Sequence, residues 1–271
     1  MYDATGHMHI QIMKVPPLAP FPESNWDIGT PPSPEHAVAA YNAYEAYFGT
    51  FTVDDVKNVV THHIEGSVHP DYTESEQPRP FRLDGDRLEI GDGKTYRRVL
   101  ERVSEIKAQA ATEKKSSAAH SERERFVGVW QSVSIKDMRQ DGTEGPDLYL
   151  GPHPTGMLIY DASGFMCAGN MNPDRKKWTD PSRGTREELA AGAEGYDSYC
   201  GTYSVDQEKK RIIHHVRVSL DPNIVGADLV RSYVFDGERL KMSGTEGLLP
   251  GFKFWTFTFE RPTALQIPDS P

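Results

Sequence analysis

Two His-His pairs, His62-His63 and His214-His215, are the residues of this 271-residue chain best suited to moving protons, since histidine titrates near neutral pH without perturbation. Both pairs lie in segments that read as strands. Side chains on a strand alternate between faces, so adjacent histidines point opposite ways and cannot chelate one metal together. One face of the first strand carries His63, Glu65 and Ser67, and the other carries His62, Ile64 and Val68. The second strand sets His215, Arg217 and Ser219 against His214, Val216, Val218 and Leu220. If the face bearing His63 lines a cavity, Glu65 orients its imidazole and raises its basicity, which makes a proton-transfer pair. If that face meets solvent, the same residues are an ordinary polar exterior. His63, Glu65 and His215 are therefore the catalytic candidates, with Ser67, Arg217 and Ser219 beside them as ligand contacts.

The tyrosines Tyr44 and Tyr47, repeated as Tyr196 and Tyr199, are expected at the end of a helix just before a strand. There they either stack on a flat ligand as part of a lid or pack the helix onto its neighbours. Arg79 and Arg231 read as surface ion-pair partners, the alternative being pocket groups for an anionic substituent. His7 and His9 share a strand face, but zinc needs at least one more convergent ligand, so no metal site is expected. No GxGxxG opens a helix, no GKS or GKT occurs, and there is no Gly-x-Ser-x-Gly elbow. Chemistry here is expected to need no cofactor. Cys167 and Cys200 form no CxxC pair, cannot make a disulfide framework and read as small packing residues.

These residues sit in an internal repeat. Tyr2 to Met8 matches Tyr160 to Met166, and Tyr44 to Leu88 matches Tyr196 to Leu240 without a gap. Leu100-Glu101-Arg102 corresponds to Phe259-Glu260-Arg261. The second copy opens with Phe126 to Ile159, which reads as two strands and has no counterpart in the first. Period-two alternation and turn signals give it about eight strands, with one helix over Arg186 to Tyr199. Such a set closes into a barrel, which removes exposed sheet edges. The expected division is 1–103, a unit lacking its opening strands; 104–125, a charged linker; 126–262, a complete unit; and 263–271, a tail.

Gly128-Val129-Trp130, with Arg261 at the end of the last strand, resembles the lipocalin signature, in which the Trp closes the barrel floor and packs on that Arg. Val127 to Trp130, Gly156 to Tyr160, Tyr196 to Tyr203, and His214-His215 with Ser219 and Pro222 extend the likeness to the lipocalin-like domain family of bacteria and fungi. It covers Phe126 to Arg261 fully and Met1 to Arg102 in part. The first copy departs by lacking Gly-x-Trp. The second carries Arg217 where the family commonly has the Glu that the first keeps as Glu65. The resemblance implies a mainly β chain of two lipocalin-like antiparallel β-barrels, the first incomplete, each with one helix near the barrel mouth. It also implies binding of a small apolar, polyketide- or terpenoid-like molecule, by a cofactor-free isomerase or cyclase of secondary metabolism or by a non-catalytic carrier.

Composition bounds the partners. With 30 Lys plus Arg against 40 Asp plus Glu, the net charge of -10 argues against nucleic acid. No stretch reaches the roughly 20 apolar residues of a membrane span, and the start lacks a signal-peptide pattern, so a cytoplasmic location is expected. The first unit's opening strand should expose a backbone edge that unit two, a homodimer partner or an upstream stretch must cover.

Overall fold

The structure, a computed structural model, describes residues 1–22, 32–103, 117–245 and 251–262. Unit one consists of β1 (His7–Met13), α1 (Pro34–Asn42), β2 (Tyr44–Asp54), β3 (Val59–Ser67), β4 (Glu76–Asp84), β5 (Arg87–Ile90) and β6 (Arg98–Glu101). Helix α2 (Ser117–Phe126) leads to unit two: β7 (Gly128–Arg139), β8 (Glu144–Pro146), β9 (Thr155–Tyr160), β10 (Phe165–Met171), α3 (Arg186–Glu194), β11 (Tyr196–Asp206), β12 (Arg211–Ser219), β13 (Asp228–Asp236), β14 (Arg239–Gly244) and β15 (Phe252–Glu260). In unit two, β7, β9 and β10 to β15 pair in sequence and close through β15–β7 into an eight-stranded barrel, with β8 as a hairpin arm on β7. Unit one has the same order without the first two strands, a six-stranded curled sheet that stays open. The chain is mainly β, as expected.

The repeat extends to hydrogen-bond register. His7↔Thr50 through Met13↔Tyr44 in unit one is matched by Phe165↔Thr202 through Met171↔Tyr196 in unit two. Each unit also bulges at the same step, Phe48/Gly49 and Cys200/Gly201. Glycine is required there because a Cβ would lie 2.0 Å from the carbonyl oxygen of His63 or His215.

Three expectations need correction. The helix of unit two ends at Glu194 rather than Tyr199: Thr185 and Glu188 close a capping box at its start, Gly195 caps its end, and Tyr196 already opens β11. The tyrosine pairs are therefore strand residues and form no helical lid. Along β7 the alternation breaks, because the pairing with β15 skips Val133. This bulge leaves Trp130 and Ile135 both buried, at odds with a strict period of two. Finally, Cys167 and Cys200 are not separate packing residues; they face each other across β10 and β11 and are joined as a disulfide.

The units share one core. Buried Ala37 and Ala40 of α1 meet Ala190 and Ala193 of α3, small residues that let the helices approach closely. Tyr44, Phe48 and Val68 of unit one join Met157, Tyr196 and Leu220 of unit two in the same cluster. Contacts come in symmetric pairs, β1 on β12 and β10 on β3. Since β1 is the repeat of β10 and β3 of β12, the units are related by a pseudo-twofold. Arg175 ties them further, donating to the carbonyls of Ser67 and Val68 in one unit and Gly192 in the other. The outer edge of β1 is occupied by the chain's own Met1–Asp3: the backbone N–H groups of His9 and Asp3 donate to the carbonyls of Met1 and His7.

Candidate functional site

Bulges and pleat decide which histidine of each pair faces inward. On β12, Ile212, His214 and Val216 are buried, whereas His215 is half-buried and Arg217 exposed. On β3, Val60, His62 and Ile64 are buried in the same pattern. The inward histidines are therefore His62 and His214. His63 and His215 lie on the outer face, where His63 bonds Thr52 and approaches Glu76 at 3.4 Å. His215 bonds Ser204 at 3.1 Å and Asp228 at 2.6 Å. The condition under which His63 and Glu65 would serve as a cavity-lining pair is not met. Instead Glu65 borders a cleft of about 180 Å³ between the units, near Arg175 and Thr155. Burial raises its pKa.

Each inward histidine is held by two tyrosines. In unit two, His214 Nε2 lies 2.7 Å from the Tyr160 hydroxyl and Nδ1 lies 2.8 Å from that of Tyr199. In unit one, His62 Nε2 lies 2.8 Å from Tyr2 and Nδ1 3.1 Å from Tyr47. A neutral imidazole has one N–H and one lone pair, so one hydroxyl of each trio donates and the other accepts. Burial keeps the histidines neutral: it lowers His62 to about 4 and His214 well below the ordinary value, with Arg79 and Arg231 adding to the effect. Tyr160 is pushed well above its ordinary pKa, also by burial.

Arg79 and Arg231, expected at the surface, are 9% and 5% exposed. Their strands β4 and β13 follow the His-His strands and alternate in step with them, which turns both guanidinium groups inward. Arg79 lies over Tyr96, its guanidinium carbon 5.6 Å from the ring centroid, and Arg231 lies 4.6 Å from that of Trp255. Tyr96 and Trp255 are equivalent positions, so the arginine-aromatic contact is also repeated.

In unit two, Tyr199, Arg231 and Trp255 of this set border a cavity. The cavity has a volume of about 50 Å³ and is walled by Tyr199, Arg231, Met242, Trp255 and Phe259. Asp147, Glu194 and Asp197 border the same space. That volume is far below the roughly 300–1,000 Å³ of sites that hold whole drug-sized ligands. Burial raises the pKa of Asp147 and of Glu194.

The remaining sequence candidates have other places. Ser67 and Ser219 are buried braces: each hydroxyl donates to a β2 or β11 carbonyl and accepts a backbone N–H two residues on. Tyr44 is buried at the unit interface, where its hydroxyl meets Gln11 at 2.6 Å and Ser198 Oγ at 2.9 Å. Tyr196 is buried beneath the guanidinium of Arg175, 5.4 Å from its ring centroid. Of the ten candidates, Tyr196 and Tyr199 border the cavity. Trp255 and Arg231 border it too; the sequence reading has no sign of Trp255 and offers Arg231 as a pocket group only as the alternative to a surface ion-pair partner.

The barrel floor carries the deciding contact. Arg261 lies 3.6 Å from the centroid of the Trp130 ring and donates to the carbonyls of Val129 and Arg125. Gly128 lies beneath it at a φ of +109°, a backbone conformation that favours glycine. The model of the lipocalin-like domain matches residues 1–115 and again 127–255. The chain belongs to the lipocalin-like domain family. It is a tandem member, with one closed barrel and one open one. Among curated proteins nothing matches the chain. No described helix of this lipocalin-like protein is long and apolar enough to cross a membrane.

Proposed function

We propose that unit two binds the unsaturated or aromatic end of a small, largely apolar molecule, with a ligand carbonyl oxygen directed at Arg231 and Tyr199. The lipocalin-like fold supports small-molecule binding in general. The observation that carries the finer reading is a buried guanidinium beside an aromatic wall in the cavity of the closed barrel. Cation and hydroxyl together favour a partial negative charge on oxygen far more in a desolvated pocket than in water.

The same arrangement suits a cofactor-free isomerase or cyclase acting on a polyketide- or terpenoid-like substrate. Arg231 and Tyr199 stabilise an enolate oxygen as it forms, and His214 positions the Tyr199 hydroxyl. When His214 carries its proton on Nδ1, it donates to Tyr199 and accepts from Tyr160, which fixes the direction of the Tyr199 hydroxyl. Glu194, at the C-terminus of α3 with a raised pKa, is the group that takes and returns the proton. Confinement in the lumen adds the orientation such a reaction needs.

The test follows binding through Trp fluorescence and turnover by product analysis, using a panel of polyenyl and naphthyl ketones. Glu194→Gln should abolish turnover and leave affinity within a few fold, while Arg231→Leu should weaken binding. If no ketone is converted while Arg231→Leu still weakens binding, the protein is a non-catalytic carrier. If Arg231→Leu changes neither, the pocket assignment falls.

A further inference from the structure

Where the units meet, the two copies differ in a way that gathers three metal-ligating side chains. His9 of β1 and Cys167 of β10 occupy equivalent positions of the repeat, as do Phe48 and Cys200. The pseudo-twofold brings the two positions together: an imidazole nitrogen of His9 and the two sulfurs all lie within 4.8 Å of one another. His9 is fully buried, Cys167 nearly so, and Cys200 half-buried. His9 Nε2 has no hydrogen-bond partner. It is aimed at β10, where Gly169 gives it room: a Cβ on Gly169 would lie 2.7 Å from it. A fully buried imidazole nitrogen left without a partner costs free energy.

We propose that, once the Cys167–Cys200 bond is reduced, His9, Cys167 and Cys200 bind one thiophilic divalent cation of the zinc type on the pseudo-twofold axis. Reduction by a dithiol breaks the S–S bond with two electrons and two protons and yields two thiols, while the dithiol becomes a disulfide. Cation binding then releases the two thiol protons. Two thiolates, a neutral imidazole and a dication sum to zero charge, as a buried site requires, and three protein ligands leave a fourth position open to water. Charge favours a dication over a monovalent ion, which would leave a net negative charge in the core. The disulfide and the cation exclude each other, so the site is occupied only under reducing conditions.

The experiment uses the full chain, reduced with a phosphine and desalted without oxygen. Cadmium is titrated while thiolate-to-metal charge-transfer absorption is followed, and zinc is then used to displace it. One equivalent should bind to the reduced protein and none to the oxidised protein of the same sequence. His9→Ala should lower affinity by more than the roughly 10–100-fold that losing a partner outside a ligand set costs. His9→Cys, which places at this position the residue its repeat equivalent carries, should restore tight binding with a stronger thiolate band. The proposal is overturned if the reduced protein shows no charge-transfer band. It is equally overturned if His9→Ala binds as tightly as the parent, which would leave only adventitious capture by two thiols.

Discussion

The Tyr160–His214–Tyr199 trio makes an energetic prediction with an unusual sign of coupling. Tyr199→Phe removes the partner of Nδ1 at 2.8 Å, and Tyr160→Phe removes that of Nε2 at 2.7 Å. After either single change, His214 can adopt the tautomer that places its lone pair at the vacancy and its N–H on the remaining hydroxyl. Each single substitution should therefore cost about 1 kcal/mol, the low end of the range for an unsatisfied buried group. In the double variant no tautomer helps: an N–H and a lone pair are both stranded at a fully buried position. The cost should then reach about 4 kcal/mol, more than the two singles combined. Urea unfolding followed by far-UV circular dichroism measures this as a shift in midpoint at constant slope. The Tyr2 and Tyr47 pair around His62 supplies a comparison, since Tyr2 is half-buried and water can replace its hydroxyl. Strict additivity in unit two, or singles without effect, would refute the tautomer reasoning.

Arg261→Ala should destabilise unit two by about 2 kcal/mol through loss of the guanidinium over Trp130, and Arg261→Lys should not restore it because an ammonium cannot stack and donate in the same plane; thermal unfolding of the two variants checks this. Gly49→Ala and Gly201→Ala should each cost about 1–3 kcal/mol by driving a methyl group into the carbonyl across the bulge, read as loss of urea midpoint. Stability should fall as pH drops below about 6.5, because His9, His62 and His214 have folded pKa values below the unfolded one and the unfolded chain binds the extra protons, each with a limiting slope of about 1.4 kcal/mol per pH unit. Asp137, raised by burial to about 6, works in the opposite sense between its unfolded pKa and 6, so Asp137→Asn should steepen the acid loss in a series of urea midpoints from pH 7 to 5.

Much of this fold was legible because the repeat, the strand periods and the Gly-x-Trp/Arg pair all point to the same barrel. The site was less legible. That His62 and His63 face opposite ways follows from the pleat, but which of them is inside depends on their company along the strand. His214 alternates in step with Ile212 and Val216, and His215 with Arg217. That apolar company is the signal that names the inward histidine, and a nearby carboxylate such as Glu65 points the wrong way. The inward turn of Arg79 and Arg231 follows only once β4 and β13 are registered against β3 and β12. The cysteine pair, 33 residues apart, becomes readable only when β10 and β11 are set in register.

Retention of the whole interior set in unit one constrains what the set does. The Tyr-His-Tyr trio and the arginine over an aromatic ring recur around His62 and Arg79, although that sheet lacks the two strands that would enclose them. The row Leu83, Leu88 and Leu100 across β4 to β6 shows the consequence: Leu83 and Leu100 are 56% and 40% exposed, whereas their equivalents Phe235 and Phe259 pack in the floor of the closed barrel. A set kept where nothing is enclosed must at least brace the strands. What makes a ligand site in unit two is then the enclosure that β7 and β9 supply, together with Glu194, whose repeat equivalent is Asn42. Arg79→Leu and Arg231→Leu therefore separate the two roles. Both should lower the urea midpoint, but only Arg231→Leu should weaken ketone binding measured by Trp fluorescence. Equal loss of binding in both variants would mean that the open sheet also holds ligand, and would return the assignment to the motif rather than to its enclosure.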